Sequence, residues 1–198
     1  FIQDNKILNQ RIKENIDLNK NILNEMYFNY LDLYNYQSNV ITDKTPHNFR
    51  WIGFIKVFFP NAKVVFCERN IKDNFLSLYK NYFASTKHMG WSFNPKNIVK
   101  YCNMYFELKK FWKKKYPNFF YQLNYDKLVV DSHNEIKKLL EFCDLSWDQK
   151  CLSHHKNSKA VINTVSIYQA RKPIYSTSSN LSNLYEERLS DYFKELKL

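Results

Sequence analysis

Glycine is nearly absent from this chain, which contains Gly53 and Gly90 but no other glycine among its 198 residues. Loops that cradle phosphate groups with backbone N–H groups are built from several closely spaced glycines. Neither Gly53 nor Gly90 begins a loop of that kind. The sequence therefore excludes a glycine-rich phosphate loop within these residues.

The chain also lacks the residue spacing of a metal site. Its cysteines form no CxxC pair, and no histidine stands at the spacing of a zinc ligand. The neighbouring His154 and His155 would point in different directions on a helix, so we expect no metal there. We expect reduced, mostly buried thiols at the four cysteines, which are Cys67, Cys102, Cys143 and Cys151.

Long apolar runs are missing, and no stretch approaches the length of a membrane span. No signal peptide is visible either. The chain starts with Phe1 rather than Met, however, and its first residues already follow a helical pattern. We therefore expect further structure upstream, and a cytoplasmic location is our expectation only for a bacterial source.

Acidic residues are in the minority, because 19 Asp and Glu stand against 30 Lys and Arg and give a formal net charge of +11. This excess favours anionic partners, among them nucleotides, nucleic acids, sulfated or phosphorylated molecules and acidic membrane surfaces. Asn, Lys, Ile, Tyr and Phe are abundant together, so part of the charge is compositional. The simplest interpretation of any single lysine is a solvated face.

Hydrophobic residues are plentiful, at 44% of the chain, and 18% of the chain is aromatic. This is enough for one packed domain. Strand patterns alternate with helix patterns, which predicts an α/β fold with a parallel sheet flanked by helices. The strands are predicted over residues 39–42, 63–67 and 119–125. The helices are predicted over residues 7–36, as one or two amphipathic helices with a core-facing side, and over 49–58, 70–82, 96–115, 131–142, 146–155 and 184–197.

Two of the predicted strand ends carry a cation, Lys44 and Arg69. In parallel α/β sheets ligands bind beyond the carboxyl ends of the strands, so these positions are candidates for a binding site. Asn70 is predicted to cap the helix that follows Arg69, with Asp73 completing a variant of the capping box.

Arg69 suits a phosphate for a further reason, since a helix N-terminus favours anions and a guanidinium can donate two parallel hydrogen bonds. Ser77, on the same predicted helix, can add a hydroxyl donor. The alternative is that Arg69 pairs with Asp73 or Glu68 and that Ser77 is only a small helix residue. From spacing alone, this alternative is favoured.

The order of four segments changes that balance. They are ITDKTPHNFRWIGFIKVFFPNAKVVFCERNIKDNFLSLYKNYF, LNYDKLVVD, LLEFCDLSWD and SIYQARKPIYSTS. Together they resemble the sulfotransferase family, namely the bacterial sulfotransferases often fused to TPR repeats and, more distantly, the tyrosylprotein sulfotransferases. The resemblance implies a P-loop NTPase-like sulfotransferase fold that lacks its N-terminal phosphate-loop unit. Residues 1–198 would form the C-terminal part of one such domain.

The resemblance implies an enzyme that moves a sulfuryl group from 3'-phosphoadenosine 5'-phosphosulfate to a hydroxyl or amine acceptor, without a metal. In the family, an arginine at a strand end and a serine on the next helix hold the 3'-phosphate, and they match Arg69 and Ser77. The tyrosine of the family's YExL motif contacts the nucleotide and matches Tyr125. A protein tyrosine, a carbohydrate, a lipid headgroup and a small amine all stay open as acceptors.

Two matched positions are implied to be catalytic. The lysine of the family's DK(S/M)P motif stabilises the charge on the transferring sulfonate and matches Lys44. The serine of the SxxQxxKP segment lies near the transferring group and matches Ser166. The rest of that segment closes over the donor and matches Gln169, Arg171, Lys172 and Pro173.

The chain departs from the family in three places. It lacks the glycine-rich loop for the 5'-phosphosulfate, and the family's glutamate base belongs upstream of the DK(S/M)P motif, so we name no catalytic base. A basic-aromatic pair often follows the IYSTS stretch, but Leu181 and Ser182 stand there instead. The activity of the chain alone is left open.

Two rival interpretations stay open. The first is a basic nucleotide- or nucleic-acid-binding module without chemistry, which a cluster of lysines and aromatic residues could serve. The second is a degenerate partner subunit that kept the fold and lost turnover. We expect no nucleic-acid partner, because the same cluster also suits the solvated side of a helix. Its members are Lys109, Lys110, Phe111, Trp112, Lys113, Lys114 and Lys115.

Overall fold

The computed structural model describes residues 2–32, 40–83, 89–156, 171–175 and 177–197 of the chain. The chain divides into two compact units, Phe1–Ala62 and Lys63–Leu198. The second unit contains the sheet of the described structure.

The first unit is helical. Helix α1 spans Ile2–Asp32 as one continuous helix, a 3-10 turn covers Asn48–Arg50, and helix α2 spans Ile52–Phe58. The ring of Tyr27 on α1 packs against Phe59, just after α2, with 4.9 Å between ring centroids. The predicted helices at both places are therefore confirmed.

The predicted burial of the apolar side of α1 is wrong for most of its described side chains. Tyr27 is half-buried, but four others on that side are exposed: Ile22, Leu23, Met26 and Tyr30. Within the first unit, α2 has 7 residues against the 31 of α1, so α2 is too short to cover the apolar side of the longer helix. The predicted positions Leu31 and Tyr34 lie outside the described side chains.

The strand predicted over residues 39–42 is also wrong where the structure describes it. Residues 40–42 are irregular, whereas residue 39 lies outside the described part. Val40 and Ile41 are exposed. The strand preference of β-branched residues depends on a partner strand and a buried face, and these side chains are not buried.

The second unit is built on a parallel pair of strands, as predicted. Strand β1 spans Val64–Glu68 and strand β2 spans Phe120–Asn124. They pair in parallel from Val64 opposite Phe120 to Glu68 opposite Asn124. Because the strands are parallel and in register, both carboxyl ends reach the same edge of the sheet.

Helices connect and cover the two strands. After β1 come helix α3 at Ile71–Lys80 and helix α4 at Pro95–Lys115, and after β2 come helix α5 at Tyr125–Val130, helix α6 at Ser132–Phe142 and, near the end, helix α7 at Glu186–Lys194. The 3-10 segments of this unit are Gly90–Phe93, Gln149–Lys156 and Leu181–Tyr185. The sequence predicts each of these helices except the short α5, whose six residues are half-buried or exposed and form little more than one turn, too few for a helical pattern to stand out.

Local side-chain chemistry explains where these helices begin. Asn94 accepts a hydrogen bond from Lys96 N at 2.9 Å, and Pro95 occupies the first turn of α4, where its missing N–H costs nothing. Asn124 accepts from Lys127 N at 2.9 Å and so starts α5 directly at the end of β2. This immediate turn fixes the residues that follow β2 beside those that follow β1.

The core of the second unit lies between α3, α4 and α7. Phe75 and Ile98 are fully buried at its centre, and Phe193 of α7 meets Phe75 edge-on with 5.5 Å between ring centroids. All four cysteines are free thiols, but only Cys102 is buried. Since Cys67 is exposed and Cys143 and Cys151 are half-buried, the prediction of mostly buried thiols is wrong.

Candidate functional site

The carboxyl ends of β1 and β2 bring two loop starts together. Arg69 and Asn70 follow β1, while Tyr125 and Asp126 follow β2. The backbone N–H of Asn70 donates a hydrogen bond to Asp126 Oδ2 at 3.1 Å, which ties the two loop starts to each other. This edge is where ligands of parallel α/β sheets bind.

A cavity of about 290 Å³ lies at this edge. Three side chains singled out for the donor, Arg69, Tyr125 and Lys172, line the same cavity although they come from distant parts of the sequence. The complete lining consists of Arg69, Tyr125, Leu128, His154, Lys172, Pro173, Ile174, Tyr175 and Ser178.

In the guanidinium of Arg69, one nitrogen is hydrogen-bonded and another has no partner among the described residues. Its Nη2 donates to the main-chain carbonyl of Asp73 at 2.5 Å. Its Nε is buried, and no hydrogen-bond partner for it exists among the described residues. Arg69 therefore makes no ion pair with the Asp73 carboxylate in the described structure, and Glu68 instead pairs with Lys109 at 3.1 Å.

The N-terminus of α3 receives part of its hydrogen bonding from the chain itself. Asn70 caps the helix as predicted, since its side chain accepts from Lys72 N at 2.9 Å. The predicted capping box is wrong, because Asp126 rather than Asp73 takes the N–H of Asn70. An anion at this edge would therefore depend on side chains more than on the free N–H groups of α3.

The carboxylate of Asp73 holds a distant turn instead. Oδ2 accepts from the N–H of Asn180 at 2.7 Å, and Oδ1 accepts from the N–H of Ser182 at 2.8 Å. Asp73 is 2% exposed, so both bonds form away from water. They fix the turn that follows Tyr175 and Ser178, two residues of the cavity lining.

Tyr125 links β2 to that same segment. Its hydroxyl donates to the carbonyl oxygen of Tyr175 at 3.2 Å. Burial raises the pKa of Tyr125 and the neighbouring Tyr175 raises it further, while Arg69 acts in the opposite direction. The phenol therefore keeps its proton at neutral pH and serves as a hydrogen-bond donor.

The lining favours an anion. Its charged and titratable side chains include Arg69, Lys172 and His154, and no Asp or Glu occurs among the described lining residues. Lys172 and His154 are exposed and Arg69 is half-buried, and the cations Arg69 and Lys172 raise the local potential of this concave surface and attract anionic ligands. Tyr125 and Ser178 add hydroxyl groups to it.

The structure leaves the other proposed site residues apart from this cavity or outside its description. Ser77 on α3 is half-buried, accepts from Asn81 Nδ2 at 3.4 Å and does not line the cavity. Arg171 is exposed and does not line it either. Lys44 is an exposed residue of the first unit. Ser166 and Gln169 lie outside the described residues.

Sequence reasoning missed His154 as a member of the site. It considered His154 only beside His155, as a weak metal candidate, and nothing in the local pattern connects it with Arg69. Tyr175 and Ser178 carry a clearer signal, because they stand in the IYSTS stretch directly after Lys172 and Pro173. Only folding brings the 3-10 segment of His154 to the cavity.

Two further features concern metal binding and membrane spanning in the described part of the chain. Within it, no three His, Cys, Asp or Glu side chains gather closely enough to bind a metal ion. No described helix has the length and apolar character needed to cross a membrane.

A profile of the sulfotransferase family matches residues 4–149, which is well over half of the chain. The chain belongs to the sulfotransferase family. The match includes Lys44, Arg69, Ser77 and Tyr125. It ends at Gln149, the first residue of the 3-10 segment that contains His154.

One relative of this sulfotransferase-family chain is an uncharacterized protein of Aquifex aeolicus (strain VF5). It is 38% identical over 159 residues, which cover 79% of this chain and 21% of the relative. The chain thus spans about a fifth of the length of that relative.

Proposed function

We propose that this chain is part of a sulfotransferase that transfers a sulfuryl group from 3'-phosphoadenosine 5'-phosphosulfate to a hydroxyl or amine acceptor. The observation that carries the proposal is Arg69, whose buried Nε is unpartnered among the described residues, in a cavity it shares with Lys172 and His154. The family to which the chain belongs supports the chemistry.

We assign the 3'-phosphate of the donor to the cavity side chains. A half-buried arginine with an N–H that lacks a partner among the described residues can add a charge-assisted hydrogen bond to a phosphate oxygen, and Lys172 can neutralise charge as a point cation. Tyr125 is proposed as a further contact to the nucleotide through its ring and its hydroxyl oxygen, since the hydroxyl proton is donated to the carbonyl of Tyr175. Ser77 remains a proposed contact, which would require the phosphate to extend along α3.

The bound donor supplies the sulfuryl group and a phosphate leaving group, and the chain's side chains position it and neutralise charge. Lys44 is proposed to stabilise charge on the leaving phosphate, and Ser166 to lie near the transferring group. Gln169 and Arg171 are proposed to close over the donor with Lys172. Losing one such electrostatic contact typically lowers the rate on the order of a hundredfold.

The parallel pair of strands with flanking helices supports a finer proposal about the fold. We propose that β1 and β2 are neighbouring strands of a P-loop NTPase-like sulfotransferase sheet. In that arrangement the donor lies across the carboxyl ends of the strands, the edge at which the cavity is found.

Calorimetric titration tests the donor site. The chain is titrated with 3',5'-adenosine bisphosphate, the expected product, and with 5'-AMP, which lacks the 3'-phosphate. We expect binding that requires the 3'-phosphate and weakens by about 10- to 100-fold in Arg69→Ala, the usual cost of a charge-assisted hydrogen bond. Arg69→Lys keeps the charge but loses the planar fork, so we expect an intermediate affinity.

Arg188→Ala is the matched control, since Arg188 is an exposed arginine of α7 outside the cavity lining. It should bind the bisphosphate as the unaltered chain does. Equal affinity for the two nucleotides would show that Arg69 does not hold a 3'-phosphate. An equal loss of affinity in Arg69→Ala and Arg188→Ala would show the same.

The nucleic-acid rival loses support from the contacts of the lysine cluster on α4. Lys109 pairs with Glu68 and Lys113 donates to Gln122, so both side chains are directed at the strands. If the rival were correct, an oligonucleotide would bind with a steep salt dependence that Lys110→Ala reduces and Arg69→Ala leaves unchanged.

A further inference from the structure

Asp73 contacts both sides of the cavity at once. Its main-chain carbonyl accepts the guanidinium of Arg69 at 2.5 Å, and its carboxylate accepts the backbone N–H groups of Asn180 and Ser182 at 2.7 and 2.8 Å. Arg69 lines the cavity from the end of β1, whereas Tyr175 lines it just before the anchored turn and Ser178 lines it from within that turn.

The burial of this carboxylate gives the contact its strength. Asp73 is 2% exposed, and a buried carboxylate is tolerated only when it is well hydrogen-bonded. No cation pairs with it among the described residues, so the carboxylate depends on the backbone N–H groups of the turn. Hydrogen bonds to an ionised acceptor are about twice as strong as neutral ones.

The turn gains little support from its own side chains. Asn180 adopts a positive φ of 61°, a conformation that asparagine tolerates better than most residues with a side chain. The hydroxyl groups of Ser179 and Ser182 are buried, and neither has a partner in the described structure. The turn therefore keeps its shape through the Asp73 carboxylate rather than through its own side chains.

We propose that Asp73 is a positioning residue that couples the phosphate side of the cavity, Arg69, to the turn of residues 177–182. This rests on the proposed nucleotide-binding function. Loosening the turn displaces Ser178 and Tyr175, and with Tyr175 it removes the carbonyl that accepts from Tyr125. A site that must be ordered at the moment of binding binds more weakly than a preorganised one.

Asp73→Asn separates this role from simple electrostatics. The variant keeps the volume and the main-chain carbonyl, but its amide oxygen can accept from only one of the two N–H groups, and its NH2 group places a donor against the other. Removing a negative charge near an anion site should strengthen nucleotide binding by Coulomb attraction alone. Loss of positioning should weaken it, so the two explanations predict opposite signs.

The experiment measures the dissociation constant of 3',5'-adenosine bisphosphate by calorimetry for the unaltered chain, Asp73→Asn and the control Asp191→Asn, whose carboxylate is 92% exposed on α7. We expect Asp73→Asn to bind about 10-fold or more weakly and Asp191→Asn to bind unchanged. Hydrogen exchange followed by mass spectrometry should show faster exchange in residues 177–182 of Asp73→Asn, with β1 and β2 unaffected.

Equal or tighter binding by a folded Asp73→Asn chain would overturn the inference while the donor site stands. Absence of binding by the unaltered chain would overturn both, and it is recognised without any variant. If Asp73→Asn does not fold, the test is hydrogen exchange in the unaltered chain, measured with and without 3',5'-adenosine bisphosphate. The bisphosphate must then slow exchange in residues 177–182 more than in α7, and an equal effect in both would overturn the coupling.

Discussion

At the scale of single residues, the site depends on polar groups whose partners are main-chain atoms. Arg69 donates to a carbonyl, Asp73 accepts from two N–H groups, and Tyr125 donates to the carbonyl of Tyr175. Main-chain partners leave the side-chain charges around the cavity uncompensated. An anionic ligand therefore meets positive charge that no carboxylate of the lining offsets.

The hydroxyl of Tyr125 is a test of this arrangement. Tyr125→Phe keeps the ring and removes the hydrogen bond to Tyr175, so we expect a loss of about 1 kcal/mol in the free energy of unfolding. We also expect weaker binding of 3',5'-adenosine bisphosphate, because the segment of Tyr175 loses an anchor. Urea denaturation and calorimetry measure the two effects.

Tyr121→Phe is the matched control on the adjoining strand. Its ring packs on Phe142 with 5.3 Å between centroids, away from the cavity lining. Nucleotide binding should be unchanged in this variant. If Tyr125→Phe bound as tightly as Tyr121→Phe, the Tyr125 hydroxyl would have no part in shaping the site.

How much of the site the sequence can predict differs from residue to residue. Arg69, Tyr125 and Lys172 carry local motif signals, and the structure brings them around one cavity. The role of Asp73 could not be read, because its partners stand more than a hundred residues away and are backbone atoms, which no motif records. His154 also carries no motif signal that connects it with the other residues of the cavity lining.

At the scale of elements, buried periodic segments were predictable and exposed short ones were not. α3, α4 and α6 have caps and apolar faces that their sequences display, and their predicted positions are confirmed within a few residues at each end. The strand predicted at 39–42 and the missed helix α5 both lack a buried face. Local preference without burial does not decide the structure of such segments.

Helix α7 illustrates how burial rather than helix preference holds an element. Leu189 is 8% exposed in the core with α3 and α4, whereas Leu184, in the preceding 3-10 segment, is 78% exposed. Leu189→Ala should lower the free energy of unfolding by about 2–5 kcal/mol, because it removes buried methyl groups and leaves a cavity. Urea denaturation followed by circular dichroism measures this loss.

Leu184→Ala makes the same chemical change on the surface. We expect it to alter the free energy of unfolding by no more than about 0.5 kcal/mol. Similar losses in the two variants would contradict the docking of α7 on α3 and α4.

At the scale of the whole molecule, net charge and burial act on different properties. The formal charge of +11 favours anionic partners but says nothing about the fold. Burial instead raises the pKa of several thiols and phenols of the second unit, namely Cys102, Tyr105, Tyr121, Tyr125 and Cys143. The free energy of unfolding should therefore fall as the pH rises through the alkaline range.

Cys102 provides the sharpest case, since burial raises its pKa from an ordinary 9.0 to about 11. Between these values the unfolded chain has lost the thiol proton and the folded chain has kept it, so the free energy of unfolding falls as pH rises. The contribution is fully present below pH 9 and is lost by pH 11. Its slope is at most about 1.4 kcal/mol per pH unit.

Cys102→Ala should flatten the decline of stability between pH 9 and pH 11, measured by urea denaturation under reducing conditions. The decline that remains comes from the other groups whose pKa burial raises, Cys143 and the three phenols. Ile98→Val is the control, because it alters the same core without a titratable group and should lower stability by about 0.5–1.5 kcal/mol at every pH. If the curve of Cys102→Ala ran parallel to that of the unaltered chain, burial of the thiol would not be the source of the alkaline loss.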